Sequence, residues 1–168
     1  MVLVEYPDRH FVQAAAGWLE LGNPTEAAVE LNQVSQKHAR HPDVLEIRWR
    51  LCAAKLDWKE ALEVAQAVTQ VAPERPSGWI HKSYSLHELK RTNEARDVLS
   101  PLAKKFPKEF IIPYNLACYA CATGDLQDAQ TWLLRALKIK GKEGKEEFRR
   151  MALEDPDLHP LRDYIRTL

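Results

Sequence analysis

The chain has 168 residues, and its 24 basic and 24 acidic side chains give zero formal net charge at neutral pH. This balance argues against a nucleic-acid-binding protein, which normally carries a clustered basic face. Three cysteines do not suggest a disulfide framework, so we expect a reducing, cytoplasmic compartment. The sequence predicts neither a membrane-spanning helix nor a secretion signal.

The first two predicted helices follow a short lead-in, residues 1–7. The first helix ends at Gly22, and the next has a strong start. Asn23 can cap it, Pro24 suits its first turn, and Glu26 can close a capping box.

The same helix start recurs further along the chain. A capping acid is followed by a second acid three residues later in two more places, Asp57 with Glu60 and Asp125 with Asp128. In a third place Arg91 stands at the cap position, so we expect Thr92 to cap that helix instead. Pro101 lies inside the same helix and should bend or shorten it, because proline removes an intrahelical donor.

The clearest helix pair spans residues 113–136, where two amphipathic patterns meet at Gly124 and Asp125. A charged, glycine-broken stretch follows, and we interpret it as solvated surface. The helix predicted over residues 145–153 and the turn that begins Asp155-Pro156 lead to the last short helix. We predict that residues 142–168 cap the end of the preceding helices.

Four alanines repeat at intervals of 34 residues, and each directly follows an acid. They are Ala27, Ala61, Ala95 and Ala129, after Glu26, Glu60, Glu94 and Asp128. A fixed period of this size is typical of an array of stacked helix pairs, in which each pair needs neighbours to bury its apolar face.

This pattern resembles the tetratricopeptide-repeat family. Besides the alanines, Pro73 and Pro107 at two helix exits are also 34 residues apart. The family's hinge glycine is matched in two repeats only, since that column holds Gly22, Leu56, Lys90 and Gly124. The resemblance implies an all-α fold, a right-handed α-solenoid of antiparallel helix pairs. It covers residues 8–141 as four repeats, at about 8–41, 42–75, 76–109 and 110–141.

One residue departs from the family pattern. In the family this position holds a small residue, because the two helices of a repeat approach closely there. Here the position holds Trp49. We therefore expect either a wider helix crossing or a one-residue register shift, with Trp58 as the packing partner of Trp49.

The resemblance also implies a concave groove, lined by the first helix of each repeat, that binds an extended peptide or a partner helix. The candidate groove residues are Glu46, Arg50, Ile80, Tyr84, His87, Tyr114, Asn115, Cys118 and Cys121. Their aromatic and thiol members favour an apolar or aromatic segment as the ligand. For Tyr84 and Tyr114, ordinary packing between helices is an equally open interpretation.

One subclass of the family holds the acidic C-terminus of heat-shock chaperones in a clamp of lysines, asparagines and an arginine. In this chain only Arg50 and Asn115 come near that set. We therefore predict no clamp of this kind.

The strongest candidate for a redox or metal-binding role is the pair Cys118 and Cys121. A redox pair would need a lowered thiol pKa, yet the pair lies mid-helix without a basic neighbour. A metal site would need two more ligands, and the sequence does not place them. We therefore expect no catalytic residue, no metal and no cofactor.

The sequence thus predicts a non-enzymatic interaction module with a protein or peptide partner, no nucleic acid and no membrane, and a possible homo-oligomer. Two alternatives stay open. The first is a self-assembling scaffold, and the second is a thiol- or metal-dependent factor centred on Cys118 and Cys121.

Overall fold

The computed structural model describes residues 4–168, and its regular secondary structure in that range is helical, without a strand. The chain forms two compact units, Met1–Ser85 and Leu86–Leu168. Across the described residues, no helix combines the length and the apolar character that crossing a membrane requires. The first three residues of the predicted lead-in lie outside the described part.

The first unit is built from two helix pairs and most of a fifth helix. These are α1 (Asp8–Glu20), α2 (Pro24–Asn32), α3 (Pro42–Ala54), α4 (Trp58–Val71) and α5 (Pro76–Glu88). Helix α1 packs on α2, and α3 packs on α4. The division between the two units falls inside α5.

The second unit contains one long helix pair and shorter elements on either side of it. The elements are α6 (Thr92–Leu99), α7 (Leu102–Lys105), α8 (Ile111–Ala122), α9 (Leu126–Lys140), α10 (Lys145–Glu154), a 3-10 helix (Pro156–Leu161) and α11 (Arg162–Thr167). Helix α8 packs on α9 and also on the 3-10 helix.

The four alanines of the 34-residue register are all fully buried, with an exposed fraction of 0%. A small side chain in each position lets the two helices of a pair approach closely. This burial explains why alanine recurs. The exact bounds assigned to the four repeats stay a prediction.

Three helix starts are capped as predicted. The side chains of Asn23, Asp57 and Asp125 accept hydrogen bonds from the backbone N–H groups of Glu26, Glu60 and Asp128, at 3.2, 3.1 and 3.1 Å. Each cap satisfies one of the donors that a helix N-terminus leaves without an intrahelical partner.

The predicted cap by Thr92 is wrong. Arg91 is the N-cap residue of α6 and its side chain makes no capping bond. Its guanidinium instead forms two 2.6 Å hydrogen bonds with the carboxylate of Glu94. Thr92 is already helical, and its hydroxyl lies 3.0 Å from Nδ1 of His87.

The hinge column keeps one backbone conformation although its residues differ. Gly22 and Gly124 have φ of 72° and 83°, and Leu56 and Lys90 have φ of 57° and 63°. This left-handed region suits glycine and is strained for other residues. The turn geometry is therefore maintained in all four places, at an energetic cost in two of them.

Pro101 breaks the sixth helix, as predicted. Helix α6 ends at Leu99, and the four-residue helix α7 begins after the proline. A proline ring has no N–H to continue the helical ladder, so the chain divides here into two helices.

The start of α1 is fastened to the residues after α2 by Asp8, which is 4% exposed. Its carboxylate accepts hydrogen bonds from the backbone N–H of Ser35 at 3.1 Å and from the Ser35 hydroxyl. Nδ1 of His38 lies 2.7 Å from the same carboxylate. These bonds hold together the two ends of the first helix pair.

Candidate interaction surface

Four of the predicted groove residues lie in the first unit, on helices α3 and α5. We call the surface formed by Glu46, Arg50, Ile80 and Tyr84 the α3–α5 face. The carboxylate of Glu46 accepts a hydrogen bond from the Ser77 hydroxyl, and its Oε2 lies 3.1 Å from Nδ1 of His81. Contacts to the first two turns of α5 therefore fix the Glu46 side chain.

The charge of Glu46 is maintained although the residue is partly buried. Burial alone would favour the neutral acid, but the His81 imidazole, the Ser77 hydroxyl and the charge of Arg75 outweigh it and lower the pKa of Glu46. The α3–α5 face thus presents a carboxylate that is ionised at neutral pH.

Trp49 lies flat on His81, with ring centroids 3.7 Å apart and an interplanar angle of 3°. Its indole N–H donates to the Ser85 hydroxyl oxygen at 3.0 Å. The bulky residue at this position is therefore accommodated by α5. Trp58, the partner predicted for it, contacts Tyr84.

Tyr84 packs edge-on against two indole rings. Its ring centroid is 6.2 Å from that of Trp49 and 5.5 Å from that of Trp58. Packing between helices therefore accounts for part of this side chain, which is half-buried. The arrangement holds the tyrosine ring in one orientation at the surface.

Arg50 and Ile80 complete the α3–α5 face. A guanidinium nitrogen of Arg50 lies 3.9 Å from Glu20, and the two side chains are 39% and 72% exposed. An exposed pair at this distance contributes little to stability, so Arg50 can exchange this contact for another at low cost. Ile80 is partly exposed and adds an apolar element.

In the second unit, the predicted groove residues of α8 are covered by the C-terminal 3-10 helix. Tyr114 donates its hydroxyl hydrogen to Oδ2 of Asp155 at 2.8 Å, and Sγ of Cys118 lies 3.7 Å from the same oxygen. Tyr114, Cys118 and Cys121 are only 5%, 4% and 7% exposed. Of the candidates on α8, Asn115 is half-buried and keeps access to solvent.

His87 is also buried, at 6% exposed, and it binds the same C-terminal segment. Its Nε2 lies 3.1 Å from Oδ2 of Asp157, and its Nδ1 lies 3.0 Å from the Thr92 hydroxyl. The His87 imidazole is the main cause of a lowered pKa for Asp157. The ring also packs against Tyr119, at 4.9 Å between centroids.

The environment of the α8 thiols opposes their ionisation. Burial, followed by the charges of Asp157 and Asp155, raises the pKa of Cys121 to about 11. Burial and the charges of Asp155 and Asp157 raise the pKa of Cys118 as well. A reactive redox thiol needs the opposite shift, so this environment does not favour nucleophilic chemistry.

Sequence reasoning misses several residues that form the α3–α5 face and the contact between α8 and the C-terminal segment. Trp49 stands out only as a departure from the repeat, and the stacking role of His81 has no sequence signal. Asp155 and Asp157 belong to a predicted capping turn to which the sequence assigns no side-chain partners. The spacing Asp-Pro-Asp is the one signal that two carboxylates project from a short turn.

No family model matches the sequence, and no curated protein matches it. Solved structures do. A structure of MamA, residues 41 to the end, from Desulfovibrio magneticus RS-1 has a TM-score of 0.70 at 17% identity, covering 98% of this chain and 94% of that one.

Two further structures are similar in the same way. TTC0263, a thermophilic TPR (tetratricopeptide-repeat) protein of Thermus thermophilus, gives a TM-score of 0.71 at 14% identity, covering 95% of each chain. The type III secretion translocator chaperone SycD of Yersinia enterocolitica gives 0.61 at 18% identity, covering 88% of this chain and 97% of that one. At these identities the likeness concerns the fold.

Proposed function

We propose that this chain, which has the tetratricopeptide-repeat fold, is a non-enzymatic module that binds a peptide segment or a helix of a partner protein. The α3–α5 face is the binding surface. The observation that carries the proposal is the combination, on two neighbouring helices, of an ionised carboxylate, an available guanidinium and ordered aromatic rings.

The aromatic rings suit this role because they are already ordered. Trp49 stacks on His81, and Tyr84 packs against Trp49 and Trp58. A rigid aromatic side chain supplies contact area with little loss of conformational entropy on binding. Tyrosine, tryptophan and arginine are also the residues that most often dominate binding energy at protein interfaces.

The polar groups of the α3–α5 face determine which chemical groups the bound peptide segment should carry. Glu46 suits a donor such as a backbone N–H or a basic side chain, and Arg50 suits a carbonyl or a carboxylate. Ile80 and Tyr84 suit an apolar or aromatic side chain between them. The ligand is therefore a mixed segment with one apolar anchor, rather than a run of like charges.

The comparison with SycD supports the class of function. SycD is described as a chaperone of a type III secretion translocator, so a protein of this fold acts on another protein. For this chain we propose the same general class, with a partner defined by the chemistry of the α3–α5 face.

A selection from a library of short random peptides displayed on phage tests the proposal. Wild-type protein should enrich peptides with an apolar or aromatic anchor. The variant that combines Arg50→Ala with Tyr84→Ala should enrich none of them while keeping its helical circular-dichroism spectrum. Equal enrichment on both proteins would show that the binding surface lies elsewhere.

Self-assembly is a second candidate function, favoured by exposed apolar side chains near the start of the chain. Tyr6, Leu21 and Val29 are 83%, 77% and 51% exposed. Light scattering over a range of concentrations tests it. A mass that rises with concentration in the wild type, and not in a Leu21→Ser variant, would support self-assembly, and a constant monomer mass would exclude it.

A further inference from the structure

The C-terminal segment brings two carboxylates to the Cys-x-x-Cys pair of α8. The sequence offers two thiols, Cys118 and Cys121, with no further ligands at a suitable spacing. The fold places Asp155 and Asp157 of the 3-10 helix segment against the same helix. The fold therefore adds two carboxylates, from more than thirty residues further along the chain, to the thiol of Cys118.

The distances are close to those of a metal site. Sγ of Cys118, a carboxylate oxygen of Asp155 and one of Asp157 all lie within 4.8 Å of one another, and Sγ is 3.7 Å from Oδ2 of Asp155. With metal–sulfur bonds of about 2.3 Å and metal–oxygen bonds of about 2.1 Å, the ligand atoms of a tetrahedral site lie about 3.4–3.8 Å apart. A side-chain movement of about 1 Å would close the set around an ion.

The ligand atoms that lie within 4.8 Å of one another belong to Cys118, Asp155 and Asp157, and Cys121 would have to move toward them to become a fourth ligand. It follows Cys118 by three residues, so both thiols lie on one face of α8. Its side chain is buried, at 7% exposed.

His87 and Tyr114 surround these ligands as positioning residues. Both ring nitrogens of His87 already have partners, Thr92 and Asp157, so His87 orients the Asp157 carboxylate. Tyr114 holds Asp155 through its hydroxyl. Hydrogen bonds of this kind orient the ligands in natural metal sites, and their loss typically costs about 10- to 100-fold in affinity.

We propose that Cys118, Cys121, Asp155 and Asp157 bind a divalent cation of the zinc type and thereby tie the C-terminal segment to α8. The two thiols release their protons to solvent as the ion binds, the two carboxylates bind as anions, and no electron is transferred. Two thiolates select a borderline-soft, tetrahedral ion over calcium or magnesium, which prefer oxygen ligands. Because protons are released, affinity should rise with pH. The proposal is independent of the peptide-binding role of the α3–α5 face.

Titration of the reduced, chelator-treated full chain with Co²⁺ tests the proposal. Co²⁺ can occupy tetrahedral zinc sites, and its absorption spectrum depends on the ligands that bind it. We expect visible absorption of tetrahedral Co²⁺, a thiolate-to-cobalt charge-transfer band, and loss of both when one equivalent of Zn²⁺ is added. A titration without the charge-transfer band would overturn the proposal.

Variants separate the ligands from their surroundings. Cys118→Ser should weaken Co²⁺ binding by more than the roughly 100-fold seen for supporting residues, and His87→Asn by about 10- to 100-fold. Cys121→Ser should halve the charge-transfer intensity. Cys52 is the remaining buried cysteine and lies in the first unit, so Cys52→Ser should leave Co²⁺ binding and the charge-transfer band unchanged. If Cys118→Ser does not fold, Asp157→Asn takes its place, and a wild-type spectrum in either variant contradicts the assignment.

Discussion

Tyr114 donates a 2.8 Å hydrogen bond to Asp155, which lies 41 residues further along the chain. The same carboxylate accepts a bond from the backbone N–H of Asp157 at 3.0 Å and so caps the 3-10 helix. One side chain thus starts the C-terminal turn and anchors it to α8. Because Tyr114 is buried, its hydroxyl depends on this bond.

The first prediction concerns this bond. Tyr114→Phe keeps the ring against Phe148 and removes only the donor. A hydrogen bond to a charged group contributes about 1.5–3 kcal/mol, and Asp155 is half-buried, so we expect a loss of about 1.5 kcal/mol in the free energy of unfolding. Urea unfolding measures it. Tyr164→Phe in α11 serves as the control and should stay within about 0.5 kcal/mol of wild type.

The second prediction concerns the strained hinge residues. Leu56, which is 72% exposed, and Lys90 have positive φ without being glycine. The left-handed conformation costs such a residue about 1–2 kcal/mol, and glycine returns about 0.5–1 kcal/mol of that in the unfolded state. Leu56→Gly and Lys90→Gly should each stabilise the protein by about 0.5–1 kcal/mol in urea unfolding.

The existing hinge glycines provide the opposite substitution. Gly22→Ala and Gly124→Ala place a Cβ at φ of 72° and 83°, where space is open but the backbone is strained. Both should lower the free energy of unfolding by about 1 kcal/mol. Stabilisation by alanine, or destabilisation by glycine at Leu56, would show that backbone strain does not govern these turns.

The third prediction concerns acid stability. Hydrogen bonds from Ser35, and next the contact with His38, lower the pKa of Asp8 in the folded protein. A carboxyl with a lowered folded-state pKa stabilises the fold at pH above its unfolded pKa. That contribution is lost as pH falls through the lowered value. Asp8→Asn should therefore be less stable than wild type at neutral pH, and the difference should shrink in acid.

Thermal unfolding midpoints between about pH 2 and pH 7 check this dependence. Asp163→Asn is the matched control, since the side chain of Asp163 is 96% exposed. Its difference from wild type should be small at every pH. A difference for Asp8→Asn that stays constant down to the lowest pH would contradict the assigned role of the carboxylate.

The fourth prediction concerns Trp49 and Ser85, which share a 3.0 Å hydrogen bond. Trp49→Phe and Ser85→Ala each remove one partner, and each should cost about 1–2 kcal/mol. Because the two side chains share this bond, the double variant should lose less than the sum of the two single losses, with a coupling of about 0.5–1.5 kcal/mol. Strict additivity in urea unfolding would mean that the two side chains do not interact.

Much of the fold could be predicted from local sequence signals. The buried alanines, the caps at Asn23, Asp57 and Asp125, and the break at Pro101 each depend on residues within one helix turn or one repeat. Such signals are read directly from spacing. The prediction for Thr92 is wrong because Arg91 keeps the cap position and pairs with Glu94.

The candidate sites were less predictable, because they depend on contacts outside the repeat register. Nothing in the sequence pairs Trp49 with His81, which lies 32 positions later and belongs to a different register column. Likewise, the carboxylates that cover Cys118 come from a segment that does not repeat. The positive φ of Leu56 and Lys90 could not be predicted, because neither residue is a glycine.

Binding of a library-selected peptide tests the central claim most directly. Isothermal titration compares wild type with the variant that combines Arg50→Ala and Tyr84→Ala, which removes the guanidinium and the aromatic ring that packs against Trp49 and Trp58. The control combines Lys59→Ala and Glu63→Ala, two exposed residues of α4 in the same unit. We predict a loss of affinity of at least about tenfold, or about 1.4 kcal/mol, in the first variant and none in the control. Equal affinities in all three proteins would contradict binding at the α3–α5 face.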